Sequence, residues 1–181
     1  MSLPKKSGGI TRLQYEFKKV TGTVTNLREM GTRENVTGYR TILVRDENGR
    51  DHVLENIKIS NTLDPLFHSS IKDAAKVTLW YVAMEGNAKK GKTAICIAAV
   101  TSAEGQTYSN IPSVYKFSKS ARAQVRLQYA RFCQYGVPLT MFVIGIPIFL
   151  YGLVRLLTLQ VPLLSEDYCL SEFQKIGLQA A

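Results

Sequence analysis

Apolar and polar residues alternate with a period of two through the first half of the chain, and further on the apolar ones merge into a single uncharged block. Leu13, Tyr15 and Phe17 share one phase, which passes to Val20 and Val24 after Lys18-Lys19 and predicts a strand with a bulge or break. Gly22 interrupts the β-branched run of Val20, Thr21, Thr23, Val24 and Thr25, where a strongly bent strand can turn a corner. The polar segment from Arg28 to Gly38 reads as a loop, and Tyr39 to Arg45 as a second strand. Asn48-Gly49 then marks a hairpin into a third strand, Arg50 to Ile59. Asp64 before Pro65 has the form of an N-cap followed by a first-turn proline, and predicts a short helix. Val77 to Met84 and Thr93 to Thr101 are apolar on both faces and are expected to be central strands.

Three strands, a helix and two more strands resemble the element order of the OB-fold, a five-stranded Greek-key barrel. The resemblance covers Leu13 to about Thr107. It implies a mainly β fold: a small five-stranded OB-like β-barrel with one short helix. It is a resemblance of fold only and assigns no function by itself.

The uncharged block runs from Phe132 to Val154, 23 residues between Arg131 and Arg155. A continuous helix of that length rises roughly 34 Å, enough for a hydrocarbon core of about 30 Å, so the expectation is a single C-terminal transmembrane helix. The chain then divides into a disordered basic arm (1–12), the β-barrel domain (13–107), a basic juxtamembrane helix (108–131), the transmembrane helix (132–160) and a short tail (161–181). Lys116, Lys119, Arg122, Arg126 and Arg131 precede the block, and no acidic residue lies between Glu104 and Glu166. By the positive-inside rule this predicts a single-pass protein of a plasma or bacterial inner membrane, barrel in the cytoplasm and C-terminus outside. Gly145 and Gly152 offer a close approach for homo-oligomerisation through the membrane helix, and Pro147 a kink.

A formal charge of +9 and a pI near 9.5 favour partners with negative charge. The five basic residues before the block, which share a helix with Phe117, Ala121, Val125, Tyr129 and Phe132, suit anionic lipid head groups. Cys96, Cys133 and Cys169 are too few and too scattered for a disulfide framework and have no metal-ligand spacing, so no metal or cofactor is expected.

Gly86-Asn87-Ala88-Lys89-Lys90-Gly91-Lys92-Thr93 satisfies the phosphate-cradling pattern GxxxxGK[ST]. In nucleotide-binding proteins a helix starts at this point and a later strand supplies a metal-binding aspartate. Here the next seven residues read as a strand and no such aspartate follows, so a basic hairpin turn is the better reading. Nucleic-acid binding has a broader basis: Arg28, Arg33, Lys89, Lys90 and Lys92 flank the face OB-folds use, with Tyr39 as a stacking surface. Neither His52 nor His68 sits in a catalytic motif, and the carboxylates show no paired spacing. The expected function is a membrane-anchored, non-enzymatic binding module that scaffolds or regulates a membrane-bound assembly, with an integral-membrane protein as partner. Membrane-tethered single-stranded nucleic-acid binding is the alternative, and nucleotide binding stands behind both.

Overall fold

The structure, a computed structural model, describes residues 14–33, 35–85, 94–139, 145–158 and 163–178. Among the described residues six strands and four helices form a mixed α/β arrangement in the order β1 (Gln14–Arg33), β2 (Val36–Arg45), β3 (Asp51–Ser60), α1 (Asp64–Lys72), β4 (Lys76–Glu85), β5 (Ala94–Thr101), β6 (Thr107–Ser109), α2 (Ile111–Leu139), α3 (Gly145–Thr158) and α4 (Glu166–Lys175). The chain forms two compact units. One holds the sheet, α1, the start of α2 and α4; the other holds residues 118–163, the rest of α2 and α3.

The sheet is ordered β3-β2-β1-β4-β5-β6, and neighbours along it are antiparallel. Two further rungs, Ile57 with Ile95 and Lys58 with Cys96, join β3 to β5 in parallel. Its long strand β1 pairs with β4 from Gln14 to Thr23 and with β2 from Thr23 to Arg33. The change of partner falls at Gly22, opposite Val77, where a Cβ would collide with the carbonyl oxygen of Arg45 and lie 2.9 Å from Val44 Cγ1. Only glycine lets the two strands approach so closely.

β4 shows why its strand is apolar on both faces. Val77, Leu79, Tyr81 and Ala83 face one core with Val20, Tyr39, Ile42, Ile57 and Phe67, while Trp80 and Val82 face a second with Phe117, Cys169 and Phe173. β5 divides its residues in the same way, with a register shift opposite Trp80 and Tyr81 that turns Ala98 and Ala99 both into the second core.

Three expectations need correction. The five-stranded OB-like barrel is replaced by a six-stranded sheet: β6, three residues long, adds an edge strand on β5, and the segment expected to loop from Arg28 to Gly38 is mostly strand. Register shifts between Arg28 and Gly31, with Gly31 at φ 130°, let β1 and β2 stay paired as far as Arg33 and Val36.

The single transmembrane helix is also overturned. Among the described residues no helix is long and apolar enough to cross a membrane. The uncharged block is shared between the end of α2 and α3, and residues 140–144 lie outside the described residues. A continuous helix would carry Gly152 roughly 28 Å beyond Cys133. Instead a Cβ on Gly152 would stand 3.0 Å from the Cys133 backbone nitrogen and 3.0 Å from its Sγ. The Phe132 and Tyr151 rings meet edge to face at 6.0 Å, so α3 packs back on α2.

The predicted localisation, single-pass with an outside tail, falls with it. α4 belongs to the sheet-bearing unit: Phe173 is fully buried, and its ring meets Phe17 of β1 edge to face at 5.0 Å. Ser165 caps α4 by accepting a hydrogen bond from the Tyr168 N–H, Glu166 and Asp167 occupy its first turn and Lys175 its last, so its charges suit the helix dipole.

Two substitutions test this packing. Phe173→Ala is expected to cost about 3–5 kcal/mol, the range for truncating a buried phenylalanine, and Gly22→Ala about 1–3 kcal/mol through overpacking against Arg45 and Val44. Both are read as a lower midpoint in urea denaturation followed by circular dichroism.

Candidate functional site

Three features offer themselves as sites, and the first is a polar network built on β2 and α1. Tyr39 lies on β2 with its ring in the first core, 6.1 Å from Phe67, and its hydroxyl donates to Asp64 Oδ1 at 2.7 Å. The same hydroxyl is 2.9 Å from His68 Nε2, one helical turn beyond Asp64. Thr37 donates towards Asn61 Oδ1 at 3.1 Å and lies 3.3 Å from Asp64 Oδ2. Asp64 is the first residue of α1 and Pro65 follows it, but Leu63 takes the N-cap place expected for Asp64, whose carboxylate holds the β2 hydroxyls instead. Burial, followed by the hydrogen bond to Asp64, raises the Tyr39 pKa far above that of a free phenol. This network fastens α1 to the sheet. It places tyrosine, aspartate and histidine together, as the sequence motifs around them did not announce, because the residues come from two elements.

The second feature is a cavity of about 240 Å³ between α1, the ends of β4 and β5 and the turn into β6, lined by Ser69, Asp73, Val77, Ser102, Glu104 and Tyr108 among others. The Ser102 hydroxyl is buried and makes no hydrogen bond within the protein.

The third is the helical unit of residues 118–163. Ten of the fourteen large exposed hydrophobic side chains among the described residues fall inside it, including Leu157 at 77 % and Tyr135 at 62 % exposure. Lys119, Arg126 and Arg131 are exposed on α2 before its apolar end, and Arg122 is half-buried. Arg155 lies over the Tyr151 ring at 5.4 Å on α3. Protein-family models, curated proteins and solved structures yield no match to this chain.

The candidates read from the sequence divide among these places. Lys116, Lys119, Arg122, Arg126 and Arg131 all sit on α2, and all but Lys116 in the helical unit. Arg28 is exposed and Arg33 ends the same strand, so both belong to β1 and not to a loop after it. Tyr39, expected as a stacking surface, is fully buried and leaves no ring face open to a base. Lys89, Lys90 and Lys92, with the whole Gly86 to Thr93 pattern, lie outside the described residues, as does the arm of residues 1–12. β5 begins at Ala94, so the residues after the pattern form a strand where nucleotide-binding chemistry requires a helix. Among the described residues no group of three or more His, Cys, Asp or Glu side chains is placed to hold a metal.

Cys96 and Cys169 act as core residues. Burial pushes the Cys96 thiol up to about 12 and the Cys169 thiol up to about 11, which leaves both protonated and unreactive at neutral pH. Cys133 is only partly buried. Thiol titration of the native chain should therefore modify Cys133 alone at an appreciable rate, and all three after denaturation. A further test concerns Tyr39. Its raised pKa favours the folded state below a pH of about 10, and that contribution is lost as pH rises past the unfolded phenol's value towards the folded one. Tyr39→Phe is expected to cost about 1–2 kcal/mol near neutral pH by removing a buried hydrogen bond, and to make stability above pH about 10 less steeply dependent on pH.

Proposed function

We propose that this protein is a non-enzymatic binding module, in which the sheet-bearing unit engages a protein partner and the helical unit attaches the module to a larger assembly. The observation that carries the reading is the uneven distribution of exposed apolar surface. The sheet closes its own two cores, whereas residues 118–163 hold most of the exposed large apolar side chains beside an exclusively basic set of charges. Monomeric soluble surfaces rarely keep such apolar patches open, and one next to a charged collar marks a place of attachment. The cavity beside α1 and β6, with Asp73, Glu104 and the unpaired Ser102 hydroxyl, gives the sheet-bearing unit a polar recess in which a basic side chain of a protein partner would fit.

Crosslinking in native cells followed by mass spectrometry tests the proposal. Recurrent crosslinks from Lys72 and Lys76, which neighbour that recess, to one protein are expected, and Asp73→Lys with Glu104→Lys should remove them. Isolation of the chain only as a lone monomer under mild extraction would overturn the reading. Retention of a single-stranded oligonucleotide with an affinity falling steeply with salt would assign the module to nucleic acid instead.

A further inference from the structure

The helical unit combines three properties that together specify what covers it. The first is charge. Beyond Arg131 no charged residue occurs until Arg155, and the nearest acidic residues in sequence are Glu104 and Glu166, so the surface around the apolar ends repels no anion. The second is reach. From Phe132 to the end of α2 at Leu139 the helix rises about 12 Å, and from the start of α3 at Gly145 to Val154 about 15 Å. Each matches half of a hydrocarbon core of about 30 Å. Because Gly152 lies against Cys133, the uncharged lengths of the two helices run side by side, with Arg131 just before one and Arg155 just after the other.

The third property is the direction of the exposed side chains. On α3, Ile146, Leu150, Val154 and Leu157 occupy one broad face, away from the Gly152 contact with α2. On α2, Tyr135 and Val137 are both exposed although they are about 200° apart around the helix. A second copy of the chain would cover one face of such a pair of helices. A surrounding apolar medium covers several.

We infer that the apolar ends of α2 and α3 enter one leaflet of an anionic lipid bilayer and leave it on the side from which they came, with the basic residues of α2 and Arg155 at the level of the head groups. Tyr129, Tyr135 and Tyr151 fall where aromatic rings with a polar edge collect at the membrane interface, and the Arg155 guanidinium over the Tyr151 ring keeps its charge near that level. The inference deepens the reading of the helical unit as the attachment surface and rests on it. It requires no crossing helix, and the chain before and after the inserted ends stays on one side.

Flotation of the full chain with vesicles of phosphatidylcholine plus phosphatidylserine, compared with phosphatidylcholine alone, provides the test. Flotation with the first is expected to exceed that with the second by about tenfold and to weaken as salt rises. Leu150→Asp and Tyr135→Asp change exposed positions and leave the packed contacts of the unit in place. Each should lower flotation by about tenfold or more, because a carboxylate is poorly tolerated in hydrocarbon. In vesicle-bound Cys133→Ser protein, single cysteines introduced as Ser120→Cys and Thr158→Cys should both react with an impermeant maleimide added outside. Protection of only one of them would show a crossing and overturn the inference. So would absence of flotation with both vesicle types, or a concentration-dependent dimer in which Leu150→Asp breaks the association of two chains. Persistent native crosslinks to a protein partner alongside failed flotation would remove the lipid surface and leave the binding module standing.

Discussion

The burial of Phe173 against Phe17 is the contact on which the architecture depends. β4 and β5 are apolar on both faces, and one face is covered by the first core that β1, β2, β3 and α1 build around Tyr39 and Phe67. The other needs a second layer, which the start of α2 supplies through Val114 and Phe117 and α4 through Cys169 and Phe173. Without α4, Trp80 and Val82 would lose much of their cover, and burial at about 25 cal/mol per Å² makes such exposure costly. The lysine stems help from the rim: Lys19 lies over the Trp80 ring at 5.3 Å and Lys58 over Phe117 at 5.6 Å.

That one contact also decides how the uncharged block has to be understood. A segment of 23 uncharged residues is long enough to cross a bilayer, and hydropathy has no term for whether the chain comes back. Two features bring it back. Gly152 allows a helix–helix approach that any side chain would obstruct, and α4 recruits the chain beyond the block to the sheet. The basic residues of α2 then lie beside a pair of packed helices and dictate no crossing.

Much of the strand content was legible in the sequence because period-two alternation and β-branched residues act locally. The Asn48-Gly49 hairpin joins β2 to β3 as expected, with Gly49 at φ 75° and the Asp46 carboxylate receiving the Asn48 and Arg50 N–H groups. Gly22 was legible as a bend for the same reason. The continuation of β1 through Arg33 was not, since bulges at polar positions leave no apolar alternation to follow. Tyr39 illustrates a limit of another kind: alternation places it on a strand, but only the partnership with Asp64 and His68 across 25 and 29 residues shows its hydroxyl turned into the protein. The apolar second faces of β4 and β5 were legible as central strands, but not the layer that covers them. Their cover lay beyond the uncharged block, in Phe173 and its neighbours.

The position of α4 has a consequence for the order in which the protein can be made. Its partner Phe17 belongs to the first described strand, so the second core cannot close until the chain has been synthesised through α4. At roughly 5–20 residues per second, the stretch between the end of β5 and the end of α4 takes on the order of ten seconds to emerge. Throughout that interval the sheet holds out Trp80, Val82 and Cys96 without the cover of Cys169 and Phe173. The nascent chain is therefore vulnerable to aggregation and to thiol chemistry until α4 has emerged, at residues that the finished fold hides completely or nearly so.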